Sequence, residues 1–182
     1  MVNKAFGGRG NGWVSNKDIV SGDRITSEDI KRLIAESDGK TSALFCAFRK
    51  RSTNGTHDNS QGTEEDEIVV GATSVGPNED GSNSNNKDAC LLHNFAVLPE
   101  LQSSGVGHML TRTTLNYAKN ELGYNVAYLR IFEEKTKLRA WVCQVFGFQE
   151  VGTFDYPQPH RLKTKSHYII LKKELSCTNS SL

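Results

Sequence analysis

The sequence lacks an excess of charge of either sign. Its 22 lysine and arginine residues balance 21 aspartate and glutamate residues, which leaves a formal net charge of +1 at pH 7. A balanced chain has no overall field that attracts nucleic acid or anionic lipid. We therefore expect no nucleic-acid partner and no membrane partner, and any charged ligand has to be held by a local site.

Long apolar runs and paired cysteines are also missing. No stretch approaches the roughly 18 apolar residues of a membrane-spanning helix, and residues 1–7 lack the apolar stretch of a signal peptide. The cysteines Cys46, Cys90, Cys143 and Cys177 are far apart, with no C-x-x-C pair, which is typical of reduced thiols and argues against zinc. These absences predict an intracellular protein, cytoplasmic with the nucleus as an alternative, that needs no metal.

The composition that remains is that of a globular protein, with 36% hydrophobic and 24% charged residues, and it favours one compact domain without internal repeats. Glycine and polar residues predict an irregular N-terminal segment at 1–23 and a flexible tail at 176–182. The domain itself spans 24–175. Within it, two polar stretches at 50–66 and 77–88 are predicted to be mobile hairpin loops that lengthen turns without dividing the core.

Hydrophobic periodicity predicts alternating strands and helices inside the domain. A capped helix begins near Ser27 and ends before Gly39. The other predicted elements are strands at 43–48, 68–75, 90–97, 126–132, 148–154 and 167–175, and helices after residues 105 and 135. The faces predicted to be buried on these two helices are Val106, Met109, Leu110, Thr113 and Tyr117, and Leu138, Trp141, Val142, Val145 and Phe146. The pattern predicts an α/β domain with a mixed sheet.

The turn at residues 102–107, with the sequence Gln-Ser-Ser-Gly-Val-Gly, connects a predicted buried strand to a helix. Small residues and glycines leave backbone N–H groups accessible there, and the start of the helix adds the positive end of its dipole. This combination favours phosphate binding. The pattern alone is weak, because two glycines in a tight strand-to-helix connection explain it as well. Another nucleotide- or phosphate-binding α/β domain is therefore an alternative.

The longer segment 95–107, Phe-Ala-Val-Leu-Pro-Glu-Leu followed by the turn, resembles the acetyl-CoA motif of the GNAT acetyltransferase family. In that family a strand and V-x-P-x-x precede Q/R-x-x-G-x-G/A. Residues 146–148, Phe-Gly-Phe, resemble the exit of the family's second cofactor helix. The resemblance covers roughly 24–175 in element order, with specific motifs over 90–152. Compared with the family, the usual first strand and much of the first helix are expected to be missing before Met1.

The resemblance implies a mainly antiparallel mixed sheet flanked by helices, whose central parallel strands splay apart. It also implies an enzyme, an N-acetyltransferase that moves the acetyl group of acetyl-CoA directly to a primary amine of a small molecule or peptide in a ternary complex. The cofactor-binding residues that it implies are Phe95, Ala96, Val97, Gln102, Ser103, Ser104, Gly105, Val106, Gly107, His108 and Thr136. Neither the sequence nor the resemblance indicates an oligomeric state or names the acceptor.

Acetyl transfer requires a neutral amine, and a lysine-like amine with a pKa of about 10.4 is neutral in about one molecule in a thousand at pH 7. A proton acceptor is therefore expected on the two splayed strands. The candidates there are His93, Asn94, Tyr128, Arg130 and Glu133. His93 is the first choice, although a histidine in a strand is as often a packed structural residue.

The tyrosine that commonly protonates the CoA thiolate in the family is absent, because Val142 and Cys143 occupy its place. The alternatives are Cys143, a water molecule, or Tyr156 from the proline-rich loop, and buried packing is the simpler role for Cys143. The missing tyrosine also motivates a second function, a non-catalytic acyl-CoA-binding module. Trp13, Trp141 and Tyr156 are aromatic candidates for shaping an acceptor pocket, although the apolar helical face of Trp141 favours a place in the core. Candidates for the 3′-phosphate, or simply solvated cations, are Arg112, Lys119, Lys135, Lys137 and Arg139.

Overall fold

The computed structural model describes residues 2–7, 15–50, 67–78 and 88–176. The helices are α1 Val2–Gly7, α2 Ser27–Glu36, α3 Val106–Asn120 and α4 Thr136–Phe146. The strands are β1 Ala43–Lys50, β2 Glu67–Pro77, β3 Ala89–Val97, β4 Val126–Phe132, β5 Gln149–Asp155 and β6 His167–Glu174. Each predicted strand lies within two residues of the observed one at both ends. Trp13, Cys177 and most of the two polar insertions lie outside the described residues.

The six strands form one sheet in the order β1-β2-β3-β4-β6-β5. Strands β3 and β4 run parallel, and every other neighbouring pair is antiparallel. The connection from β3 to β4 contains α3, as a parallel crossover requires. The predicted mixed, mainly antiparallel sheet flanked by helices is confirmed. No helix in the described part of the chain is both long and apolar enough to cross a membrane.

Helices cover both faces of the sheet, because consecutive strand residues point to opposite sides. On one face, Leu115 of α3 and Val142 of α4 pack against the sheet in the largest core cluster, where Leu171 is fully buried. On the other face, Val2 and Ala5 of α1 pack with the sheet residue Ala96 and with residues of α2. The sheet is therefore the middle layer, and a ligand that reaches both faces has to pass between strands.

Four local predictions differ from the structure. The segment 1–23 was predicted to be irregular, yet Val2–Gly7 is helical, because Val2 and Ala5 bury an apolar edge that is too short for a periodicity signal. The cap of α2 is Thr26 rather than Ser27, and Thr26 forms a capping box with Asp29.

The buried face of α3 is also rotated from the predicted one. Its buried residues are Leu110, Thr111, Thr114, Leu115 and Ala118. Met109 is 47% exposed instead. Two threonines are buried there, and the Thr111 hydroxyl donates to the Gly107 carbonyl 2.9 Å away, so its polar atom is satisfied within the helix. On α4 only Val142 of the predicted face is buried, and Val145 is 47% exposed.

Candidate active site

Strands β3 and β4 separate after a short paired stretch. Their register contains only Ala89 opposite Val126, Cys90 opposite Ala127 and Leu91 opposite Tyr128. Beyond these three pairs the parallel strands diverge and leave a wedge between them. The predicted splay of the central strands is confirmed.

A bulge in β3 accompanies the divergence. Ala72 of β2 lies opposite Ala96, but Ser74 lies opposite His93, so β3 holds one extra residue between these pairs. Asn94 carries the bulge with a φ of 52°, a left-handed conformation that asparagine tolerates better than most residues. Bulges turn a strand locally, which leaves the end of β3 unpaired with β4 and its backbone groups available in the wedge.

Side chains of β2 stabilise this bulge. The hydroxyls of Thr73 and Ser74 lie 3.2 and 3.4 Å from the His93 carbonyl oxygen, to which they donate. The Asn94 amide nitrogen donates to the Ser74 hydroxyl over 3.1 Å. The His93 carbonyl, which the bulge removes from regular strand pairing, therefore has hydrogen-bond donors. Specific side-chain contacts thus stabilise the bulge and the wedge beside it.

Two adjoining cavities occupy the wedge and the turn that follows β3. The wedge cavity has a volume of about 400 Å³ and extends from α4 through the gap between β3 and β4 to the face covered by α2. The turn groove, of about 320 Å³, lies beside the start of α3. Phe95, Leu138 and Trp141 line both cavities. One elongated ligand can therefore occupy both.

The turn before α3 is held in a conformation that presents backbone N–H groups. Ser103 has a φ of 65° and Gly105 a φ of 91°, two left-handed positions in three residues. The side-chain amide nitrogen of Gln102 donates to the Val97 carbonyl 3.3 Å away and connects the turn to the end of β3. The first helical bond of α3 runs from Met109 N–H to the Gly105 carbonyl, so the N–H groups just before it have no partner within the helix. Such donors, together with the helix dipole, favour the binding of an anion.

Gly107 keeps the turn groove open. A Cβ added there would lie 3.2 Å from Phe95 Cζ and 3.8 Å from atoms of Trp141 and Val97, so a side chain would fill the space beside the turn. Phe95 and Trp141 form the apolar wall, with ring centroids 6.3 Å apart. A groove with a donor-rich end and an apolar wall suits a ligand that has a phosphate group and a thin, weakly polar arm.

Most residues predicted to bind cofactor are brought together. The predicted residues that line the turn groove are Phe95, Val97, Gln102, Ser103, Gly105, Gly107 and His108. Val106 packs toward Gly71 and Ala96 packs with α1, so their predicted roles rest on their backbones. The Ser104 hydroxyl and the Ser104 backbone N–H both donate to the Leu101 carbonyl, 2.6 and 3.4 Å away. Thr136 is exposed at the start of α4 and lines neither cavity.

Two lining residues were missed. Leu138 and Trp141 lie three residues apart on α4 and were predicted to be core. They are only half-buried, and their free surfaces face the cavities. An apolar helix face has the same sequence pattern whether it packs on a sheet or lines a ligand channel, so no signal in the sequence separates the two.

The proton-acceptor candidates divide into two groups. His93, Asn94 and Arg130 line the wedge cavity, and His93 is an exposed residue. Tyr128 and Glu133 do not line it, and the Glu133 carboxylate lies 3.0 Å from His167 Nδ1 instead. Of the five candidates, His93, Asn94 and Arg130 are thus the ones that border the wedge cavity.

Of the proton-donor candidates, only Tyr156 lines the wedge cavity. Its ring is buried between Phe132 and Tyr168, with centroids 5.4 and 5.6 Å away. Cys143 lines neither cavity and packs against the main core cluster, where burial and the nearby Glu150 carboxylate raise the pKa of its thiol. Cys143 is therefore a packing residue. Tyr156 is the proton-donor candidate that lines the wedge cavity.

Comparison with known proteins agrees with this geometry. Residues 26–148 match the family model described as acetyltransferase (GNAT) family. A search of curated proteins gives no match. Among solved structures, a GCN5-related N-acetyltransferase from Kribbella flavida is 18% identical, with a TM-score of 0.57 over 87% of this chain and 83% of that one.

Two further structures share the fold. A GNAT family acetyltransferase from Elizabethkingia anophelis, solved with acetyl-CoA bound, is 16% identical, with a TM-score of 0.54 over 82% of this chain and 84% of that one. The ribosomal-protein-S18-alanine N-acetyltransferase from Escherichia coli is also 16% identical, with a TM-score of 0.52 over 92% and 87%. The family match covers more than half of the chain, and the fold agrees with it. The protein belongs to the GNAT acetyltransferase family.

Proposed function

We propose that this protein is an acetyl-CoA-dependent N-acetyltransferase that transfers the acetyl group directly to a primary amine in a ternary complex. The observation that carries the proposal is the continuity of the turn groove with the wedge cavity through Phe95, Leu138 and Trp141. That continuity gives one ligand a path from the anion site at α3 to the opposite face of the sheet. An amine that arrives from the α2 face would meet the end of that path.

The residues present fit acetyl-CoA. N–H groups of Ser103 and of residues 105–108 would hold the pyrophosphate, and the Phe95–Trp141 wall would contact the pantetheine arm. The unpaired backbone of β3 near Ala96 would hydrogen-bond the arm and polarise the thioester carbonyl. When bound, acetyl-CoA supplies an acetyl group that is already activated as a thioester. The protein then has to position the amine, accept a proton from it and donate a proton to the departing thiolate.

The reaction forms a carbon–nitrogen bond and breaks a carbon–sulfur bond. The amine loses one proton, and the departing thiolate gains one. His93, an exposed residue that lines the wedge cavity, is the proposed acceptor of the amine proton, directly or through water. Tyr156 is the proposed donor to the thiolate, since its ring is fixed by Phe132 and Tyr168 on the wall of the same cavity. Protonation by Cys143 is not part of the proposal.

The second candidate function is a non-catalytic acyl-CoA-binding module. It is motivated by the family's tyrosine position, where Val142 is 3% exposed and Cys143 packs against the core. Such a module would bind acetyl-CoA as well as the enzyme does. Only turnover separates the two functions.

The experiment is CoA release by the purified protein with acetyl-CoA and a panel of primary amines, with the acetylated products identified by mass spectrometry. Amine-dependent release supports the enzyme. Initial rates that give intersecting double-reciprocal lines support direct transfer, whereas parallel lines indicate a covalent enzyme intermediate. Binding of acetyl-CoA without turnover of any amine supports the non-catalytic module.

A further inference from the structure

Two buried hydroxyl groups of β2 lie opposite the bulge of β3. Thr73 is 0% exposed and Ser74 is 4% exposed, and their neighbours Ala72 and Val75 are buried apolar residues. A buried hydroxyl costs free energy unless it has a hydrogen-bond partner. Both hydroxyls donate to the His93 carbonyl oxygen, Thr73 over 3.2 Å and Ser74 over 3.4 Å. One backbone carbonyl thus has two side-chain donors from the neighbouring strand.

The side chain of Asn94 adds a third contact at the same place. Its amide nitrogen donates to the Ser74 hydroxyl over 3.1 Å, and that hydroxyl donates in turn to the His93 carbonyl. Asn94 also has the left-handed φ of 52° that forms the bulge. The contacts therefore connect the peptide group before the bulge, and the side chain of the bulge residue, to the same part of β2.

The direction of the His93 carbonyl determines the direction of the next N–H group. The peptide group that joins His93 to Asn94 is planar and trans, so the Asn94 N–H points to the side opposite the carbonyl. The carbonyl is held toward β2, and β3 lies between β2 and β4 in the sheet. The Asn94 N–H therefore points toward the β4 side of the strand.

That side of β3 is where the wedge opens. The last paired residues of the parallel strands are Leu91 and Tyr128, so β4 has diverged before Asn94 is reached. In the described sheet register, Asn94 is paired with neither β2 nor β4. Thr73, Asn94 and Phe95 all line the wedge cavity. The backbone at the bulge can therefore serve a ligand rather than a neighbouring strand.

We propose that Thr73 and Ser74 are positioning residues for acetyl transfer. Their hydroxyls hold the His93 carbonyl toward β2 and thereby direct the backbone N–H groups of the bulge, beginning with that of Asn94, toward the thioester carbonyl of bound acetyl-CoA. The inference rests on the proposed function and identifies the side chains on which polarisation of the thioester depends. Donors stabilise the charge that develops on a reacting carbonyl oxygen best when they are held in the correct direction before the reaction.

The kinetic test separates the hydroxyl groups from the shape of the side chains. Thr73→Val keeps the shape of threonine and lacks the hydroxyl, whereas Thr73→Ser keeps the hydroxyl and lacks the methyl group. The expected loss of kcat is about 3- to 10-fold in Thr73→Val, because Ser74 still holds the carbonyl, and about 10- to 100-fold in Thr73→Val/Ser74→Ala. Thr73→Ser is expected to restore most of the rate. The Kd of CoA, which has no thioester, should stay within about threefold in all of them.

Thr114→Val is the matched control. Thr114 is also a 0% exposed threonine, and it lines neither cavity. Its hydroxyl has no hydrogen-bond partner among the described residues. Thr114→Val is therefore expected to match the wild type in kcat. A loss of kcat in Thr73→Ser as large as that in Thr73→Val would show that the rate depends on packing and would contradict the proposal.

The carbonyl stretch of bound acetyl-CoA tests the inference without turnover. Acetyl-CoA that is isotopically labelled at the thioester carbonyl is bound to each protein, and the isotope-edited infrared spectra are compared. A hydrogen bond to the carbonyl oxygen lowers its stretching frequency, so we expect a lower frequency in the wild type and Thr114→Val than in Thr73→Val/Ser74→Ala. If the double variant does not fold, Thr73→Val alone gives the same comparison with a smaller difference.

The outcomes distinguish this inference from the proposed function. Equal carbonyl frequencies in the wild type and in the folded hydroxyl-free variant would overturn the positioning role, even if amines are acetylated. A lower frequency in the wild type supports the role even if no amine is turned over, and absence of turnover then contradicts only the enzyme. Absence of acetyl-CoA binding to the wild type would overturn both.

Discussion

Two substitutions of Gly107, to alanine and to valine, test whether acetyl-CoA lies in the turn groove, because they add side chains of increasing volume there. In Gly107→Ala the new Cβ lies 3.2 Å from Phe95 Cζ, a contact that a shift of a few tenths of an ångström relieves. In Gly107→Val the two methyl groups extend about 1.5 Å further and fill the space beside the turn. Both substitutions raise helix propensity at this α3 position relative to glycine. We expect both proteins to fold, with thermal midpoints within about 4 °C of the wild type.

The expected effect is on affinity. Filling the groove displaces the phosphate from one or two N–H donors, which costs about 2–4 kcal/mol, or about 30- to 1,000-fold in Kd. Calorimetric titration should therefore show acetyl-CoA binding within about threefold of the wild type for Gly107→Ala and the large loss for Gly107→Val. Gly152→Val is the matched control, because nothing lies within 4 Å of a Cβ added to this glycine of β5. A folded Gly107→Val protein that binds acetyl-CoA as the wild type does would refute this placement of the cofactor.

Three further predictions follow from single contacts. Tyr156→Phe keeps the buried ring and should lower kcat about 10- to 100-fold without changing the Kd of acetyl-CoA, and an unchanged kcat would remove the hydroxyl from the mechanism. Tyr124→Phe loses the hydrogen bond to the Thr41 carbonyl, 2.8 Å away, and should lower the thermal midpoint by about 2–4 °C while acetyl-CoA affinity stays constant. Burial raises the pKa of the Cys90 thiol from 9.0 to about 12. The contribution of the protonated thiol to the free energy of unfolding is therefore complete below pH 9 and is lost as pH rises toward 12. Urea unfolding should show that raising the pH from 8 to 10 costs the wild type about 1–1.5 kcal/mol more than Cys90→Ala, and equal pH slopes would contradict the raised pKa.

The features that the sequence predicted well have local causes. The strand predicted at 126–132 is β4 with the same bounds, because its alternating side chains meet both covered faces of the sheet. The turn at 102–107 was found because glycine and small residues between a strand and a helix are themselves the requirement for an N–H-lined anion site.

The features that were missed depend on tertiary contacts. The bulge at Asn94 is defined by its pairing with β2, and the hydroxyls of Thr73 and Ser74 that satisfy it lie about twenty residues earlier in the chain. Trp141 was assigned to the core because the pattern of α4 is apolar in either case.

The most direct test of the central claim, that acetyl-CoA lies across the turn groove and the wedge, is calorimetric titration of the purified protein with acetyl-CoA, with Gly107→Val measured in parallel. The account predicts saturable one-to-one binding to the wild type and at least about 30-fold weaker binding to the variant. Absence of binding to the folded wild-type protein, or equal affinity for both proteins, would contradict it.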